Sequence, residues 1–196
     1  MHGLINRAIE LFVRDTYGRR MWLDLSRRLD IGPAEFEAML DYDDAVTDRV
    51  LSDLERLLDK PRCDLLEDIG TYLVSHRNDG ALRRLLRFSG VDFVEFLHSL
   101  DDLPARARLA VSDLELPQLE LREHATQRFS VTVRDPRPGP IRFGHVLIGL
   151  LRAMADDYGA LVVLEHRGGR DGTEIIAVQL LEVRFAEGRD FVLGVV

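Results

Sequence analysis

Apolar positions in the first two-thirds of the chain recur at helical spacing. Leu4, Ala8, Ile9 and Phe12 form a stripe that Ile5 and Val13 widen, and Tyr17-Gly18 supplies a stop, so the spacing predicts a half-buried N-terminal helix. Met21 to Leu29 repeats the pattern through Trp22, Leu25 and Leu29 until Asp30-Ile31-Gly32-Pro33 breaks it. A short amphipathic piece is expected around Phe36 to Leu40. Two longer helices follow, one on Val46, Val50, Leu54 and Leu57, ended by Pro61, the other on Leu65, Leu66, Ile69 and Leu73, ended near His76 to Gly80. After a further short helix through Leu82, Leu85 and Leu86, the turn Ser89 to Asp92 opens a helix at Phe93 to Leu97, with Asp92 and Glu95 as its capping pair.

The last third changes period. Leu119 and Leu121 alternate with Glu120 and Arg122, and Phe129 to Arg134 alternates in the same way, which predicts two strands meeting near Glu123 to Thr126. Asp135-Pro136-Arg137-Pro138-Gly139-Pro140 is a stiff connection foreign to a helix or a central strand. Phe143 to Tyr158 returns to helical spacing and stops at Gly159; Leu161 to Glu165 and Glu174 to Phe185 then flank a hairpin turn at Gly168 to Gly172. The fold class is α+β: a helical part over 1–112, then an antiparallel sheet with one packed helix over 113–196, together a single domain.

Composition narrows the function classes. The 196 residues carry a formal net charge of −8, which argues against attraction to nucleic-acid phosphate or an anionic membrane as the main business of the surface. All but one of the 26 basic residues are arginine, the exception being Lys60. A single cysteine, Cys63, excludes an internal disulfide or a multi-cysteine zinc site and fits a reducing compartment; with no signal peptide or apolar span, the expected location is cytoplasmic. No phosphate-cradling glycine loop, nucleophile elbow or His-Glu-x-x-His motif is present, so no enzymatic activity is expected. The pairs Asp43-Asp44, Asp101-Asp102 and Asp156-Asp157 read as solvated surface. The histidines, at 2, 76, 98, 124, 145 and 166, show no metal-ligand spacing, and a zinc or copper site is not expected.

Four segments carry a resemblance: Met1-His2-Gly3-Leu4-Ile5-Asn6, Leu11 to Gly18, Leu85 to Gly90, and Phe96-Leu97-His98-Ser99-Leu100-Asp101-Asp102-Leu103. Together they resemble the heme nitric-oxide/oxygen-binding (H-NOX, HNOB) family, the sensor domain type of soluble guanylate cyclase and of small bacterial gas-sensing proteins. The resemblance implies a helical subdomain followed by a sheet, heme b as cofactor, and a stand-alone signalling role toward a partner such as a histidine kinase or a cyclic-dinucleotide enzyme, with nitric oxide as the gas when heme is bound.

The family's iron-binding histidine falls at Pro104, which has no side-chain donor. Heme ligation is therefore expected to be atypical or lost, and the alternative is a heme-free interaction module or a sensor of another pocket ligand. His98, six residues earlier on the same expected helix, is the weak substitute; it faces some 120° away, at about 100° per residue. The family's tyrosine-x-serine-x-arginine motif, which holds the heme propionates, is matched by Ser130, Thr132 and Arg134, a run that also reads as an alternating strand with one solvent-facing arginine. Ile5 and Pro117 resemble residues that press on the heme. Val146 takes the place of the tyrosine that oxygen-binding members set opposite the iron. Ile5 and Val146 serve equally well as plain core residues.

Overall fold

The computed structural model of the protein describes residues 1–31, 35–75, 86–87 and 90–188. Its N-terminal helices are α1 (Gly3–Tyr17), α2 (Arg19–Leu29), α3 (Asp44–Leu58) and α4 (Arg62–Ser75). His2 caps α1, its Nδ1 accepting the Leu4 N–H at 3.2 Å, and Gly18 ends the helix at φ +96°, which a side chain would resist. Asp43 caps α3 through the Ala45 N–H at 2.9 Å. The buried faces of the four helices, with Trp22, Leu25, Leu51, Leu54 and Leu65 at their centre, form one apolar core.

The expected helical piece at Phe36 to Leu40 is instead a turn. Two side chains take N–H groups from this segment: the Phe36 N–H donates to Glu10 Oε2 at 2.8 Å, and the Glu37 N–H to the Tyr42 hydroxyl at 2.9 Å. Phe36 itself is buried between Trp22 and Tyr42. Of the short helix expected through Leu82, Leu85 and Leu86, only Leu86 lies within the described residues, and it is buried.

Next come α5 (Phe93–His98), a single 3₁₀ turn (Leu100–Asp102) and α6 (Leu103–Ala110). The expected pairing of Asp92 with Glu95 is present: the Glu95 N–H donates to Asp92 Oδ1 at 2.9 Å, and the Glu95 carboxylate accepts the Val91 N–H at 3.0 Å. One continuous helix from His98 through Pro104, however, is not what forms. Pro104 occupies the first turn of α6, where its missing N–H would have had no partner in the helix. The chain breaks and restarts just before it, so rotation along one axis does not relate the two residues.

The sheet contains β1 (Gln118–Ala125), β2 (Arg128–Arg134), β3 (Leu161–Arg170) and β4 (Thr173–Glu182) in the order β1-β2-β4-β3, with antiparallel pairing throughout. Phe129, Val131 and Val133 of β2 and Ile176, Val178 and Leu180 of β4 point inward. They pack on α7 (Phe143–Tyr158) and on Phe93, Phe96, Leu97, Leu100 and Leu103, so α5 and the start of α6 share the sheet's core. Asp157, expected at the surface with Asp156, is 1% exposed, because it lies on the inner face of α7.

α7 joins the two cores. Leu147, Ile148, Leu151 and Met154 face the sheet, while Phe143 and Val146 touch the helical core. It crosses α4 backbone to backbone. A Cβ on Gly70 would stand 2.0 Å from the Val146 carbonyl oxygen, and one on Gly149 would stand 1.9 Å from that of Glu67, so both positions need glycine. Thr71 Oγ1 also donates to the Gly149 carbonyl, at 3.2 Å.

Candidate functional site

The start of α1, the proline-rich connection 135–140 and the segment 113–116 enclose a cleft of about 390 Å³. The opening Met-His-Gly fixes one wall. A Cβ on Gly3 would meet the Glu37 carbonyl oxygen at 2.1 Å; lacking one, the chain lies against the 37–42 turn, with the Gly3 N–H donating to the Leu40 carbonyl at 2.6 Å. Ile5 and Phe143 contribute apolar surface. Polar lining comes from five carboxylates, of Asp41, Asp44, Asp113, Glu115 and Asp135. Against them stand Arg137, paired with Glu115, and the N-terminal ammonium, 2.9 Å from Asp44. Burial, with Glu174 and Asp44 nearby, pushes the Asp135 carboxyl above its ordinary range.

The residues expected at a heme site do not converge on this cleft. Ile5 lines it, Pro117 is buried just before β1, and Val146 is half-buried against the helical core. Ser130, Thr132 and Arg134 alternate with the inward Phe129, Val131 and Val133, and so lie on the sheet's other face. There Ser130 Oγ is 2.8 Å from His124 Nε2, and Arg134, its side chain 52% exposed, pairs with Glu120 at 2.9 Å. Arg137, not Arg134, is the arginine at the cleft. Pro104 is buried in the first turn of α6. His98 is exposed, its ring meeting the Phe129 ring edge-on at 6.0 Å.

One polar cluster was not legible from histidine spacing. His145 of α7, His166 of β3 and Glu174 of β4 each offer a ligand atom, all within 4.8 Å of one another. The hairpin turn at Asp171-Gly172 returns β4 alongside β3, which brings Glu174 to His166, and the two imidazoles stack at 4.2 Å. These groups already have partners in the protein. The Gly168 N–H donates to His166 Nδ1, leaving the proton on Nε2, which donates to Glu174 at 2.7 Å. Glu174 also accepts from the Gly144 N–H and pairs with Arg142, while His145 Nδ1 lies 3.3 Å from Glu67. As folded, the cluster is an ion-paired hydrogen-bond network that ties α7 to the sheet. Burial likewise raises the pKa of the Cys63 thiol, with the Asp64 side chain adding to the shift, which favours the protonated thiol.

The family model described as Haem-NO-binding matches residues 2–166. The chain belongs to this family. Among similar proteins, soluble guanylate cyclase gcy-31 of Caenorhabditis elegans is 22% identical over 166 residues, covering 84% of this chain and 23% of its own. Soluble guanylate cyclase 89Da of Drosophila melanogaster is 19% identical, covering 83% of this chain and 24% of its own. The chain thus spans about a quarter of the length of these cyclases. An H-NOX protein from S. oneidensis in the Fe(II)NO ligation state superposes with a TM-score of 0.76 at 17% identity, covering 93% of this chain and all of that one. The I5F mutant of T. tengcongensis H-NOX does so with a TM-score of 0.75 at 16% identity, covering 93% and 99%. The Haem-NO-binding domain is a sensor domain, not a catalytic one, and the fold here is the H-NOX fold. No helix among the described residues is long and apolar enough to cross a membrane.

Proposed function

We propose that this Haem-NO-binding domain is a signalling domain that regulates a partner protein without an iron–histidine bond. The observation that carries the reading is Pro104, buried in the first turn of α6 with no side-chain atom to offer a metal. The family's heme does not fit the residues present. Two features oppose it: residue 104 offers no side-chain donor, and the Ser130, Thr132 and Arg134 trio faces away from the core. His98 does not replace the ligand, since its exposed ring packs on Phe129. The sensor fold stays intact, with α7 linking the two cores as the route by which events at the cleft reach the sheet. A histidine kinase or a cyclic-dinucleotide enzyme is the class of partner this reading expects, in the cytoplasm.

Hemin titration of the wild type, Pro104→Ala and Pro104→His tests the reading. The wild type and Pro104→Ala are expected to show only weak, unsaturated binding. Pro104→His should bind at least tenfold more tightly than Pro104→Ala, because alanine restores the N–H alone and histidine adds a lone pair. Stoichiometric hemin binding by the wild type, with a nitrogen-ligated ferrous spectrum, would overturn it.

A further inference from the structure

We propose that this domain associates head to tail with a second copy of itself, the exposed 37–44 segment of one copy docking on the outer face of the other's sheet. The inference rests on these two surfaces and not on the loss of the iron ligand. β2 and β4 turn Phe129, Val131, Ile176 and Val178 inward, so alternation leaves Ser130, Thr132, Ile175 and Ala177 on the opposite face. Strand register extends that face on both sides: Arg122, Ser130, Ala177 and Glu165 stand in one row, and Arg128, Gln179 and Val163 in the next. Ile175, Leu181 and Val163 are between 40% and 50% exposed there, a strip of large apolar side chains left open to solvent.

The rim of the strip is cationic. Arg122, Arg128, Arg134 and Arg167 stand around it against Glu120 and Glu165, whereas the whole chain carries a net charge of −8. Glu120 is shared by Arg122 and Arg134, at 2.8 and 2.9 Å, and Arg167 pairs with Glu165 at 3.2 Å, which leaves Arg128 without a carboxylate partner among the described residues. An apolar centre edged by arginine is the composition of a protein-docking surface, and surplus positive charge on one face of an acidic protein selects an acidic occupant. Nucleic acid is the poorer match, because the strip offers phosphate nothing and the net charge repels it.

The chain itself supplies that occupant. Glu10 and the Tyr42 hydroxyl take the N–H groups of Phe36 and Glu37 and hold a turn that buries Phe36 and leaves Met39 and Leu40 outside, 66% and 55% exposed. Glu37, Asp41, Asp43 and Asp44 are exposed around them. Of these, only Asp44 has a cation within ion-pair distance among the described residues, the N-terminal ammonium at 2.9 Å. An apolar pair ringed by carboxylates matches, in polarity and in sign, an apolar strip ringed by arginines. The two surfaces belong to different parts of the fold, so the contact is heterologous: a dimer still has one 37–44 segment and one sheet face free and extends as concentration rises.

Sedimentation velocity of the full chain tests the proposal. The wild type is expected to sediment faster as its concentration rises and to return toward the monomer in high salt, which screens the charges. Met39→Arg sets a cation against the arginines, and Arg128→Glu puts a carboxylate into their rim. Each should remain monomeric where the wild type associates; both positions are exposed, and unchanged melting temperatures check that the fold is kept. An equimolar mixture of the two variants should form a dimer and nothing larger, because each retains the surface that the other has lost. Asp24→Asn, which removes an exposed carboxylate paired with Arg27 on α2, should associate as the wild type does. A wild type that is monomeric at every concentration, association that survives Met39→Arg or Arg128→Glu, or a mixture no larger than its components would overturn the proposal.

Discussion

Two stretches of α7 make opposite uses of the same helix. In its middle, Val146 to Leu150 crosses α4 with no side chain between the backbones at Gly70 and Gly149, leaving no room for a ligand. At its N-terminal end, Phe143 borders a cleft whose lining is charged and open to solvent. The crossing is specified by what is missing, two β-carbons, and it is stiff because backbone cannot yield as a side-chain tip can. The cleft is specified by surplus charge, which the fold tolerates at some cost to its own stability. A sensor domain needs both: a fixed joint between its cores and a region where binding can change the energy balance.

The joint should be the more sensitive of the two to substitution. Gly149→Ala places a Cβ 1.9 Å from the Glu67 carbonyl oxygen, so α4 and α7 must separate. The expected loss is about 3 kcal/mol, the upper end for overpacking, measured by urea unfolding. Wild-type stability in this variant would mean that the helices have slack. Next is Glu10, fully buried in α1, which accepts from Arg7 and Arg14 at 2.8 Å and from the Phe36 N–H. Glu10→Gln should cost about 2 kcal/mol, less than for a wholly buried pair because both arginines reach solvent. Below these charges, Glu35 is held under the ordinary carboxylate range by Arg7 and then Arg14. Its contribution is therefore present above the unfolded-state pKa and is lost as pH falls through the lower folded-state value.

The cleft sharpens the contrast with the opposite sign. The Asp135 carboxyl is raised when folded, so the native state binds its proton more readily than the unfolded chain does, and stability falls as pH rises through that raised value. Asp135→Asn should raise the melting temperature at neutral pH, and the gain should vanish below the carboxylate range. Asparagine keeps the side-chain oxygen that accepts the Arg137 N–H. The smallest effect is expected for Pro104→Ala, roughly 1 kcal/mol or less, because a first-turn proline chiefly restricts the unfolded chain. A larger loss would show that the ring packs as a core group.

Much of the fold was legible because it rests on periodicity. The stripes of α1 and α4, the alternation of β2 and the glycine stops at Gly18 and Gly159 appear as the sequence implies, while α3 buries Leu51 with Val50 and Leu54 and leaves Leu57, expected in its stripe, 40% exposed. The turn at Phe36 to Leu40 was not legible, since its backbone donors are taken by Glu10 and Tyr42, partners 26 and 5 residues away. The same holds for the site. The solvent-facing reading of Arg134 followed from the alternation of β2, whereas its match to a propionate-binding motif says nothing of which face of the sheet is buried. His166 and Glu174 stand eight residues apart, a separation that only the hairpin between β3 and β4 turns into contact. The charge of the cleft was scattered among positions 41, 44, 113, 115 and 135, and no local motif collects them.

An H-NOX fold that signals without an iron–histidine bond must keep any supplied heme iron free of imidazole. Resonance Raman spectroscopy of the reduced protein after loading with hemin tests it most directly, with histidine labelled by nitrogen-15 to identify any iron–imidazole stretch. No band that shifts with the label is expected in the wild type, and one should appear in Pro104→His. A label-sensitive band in the wild type would contradict it, and the loss of that band in His98→Ala would place the bond on α5.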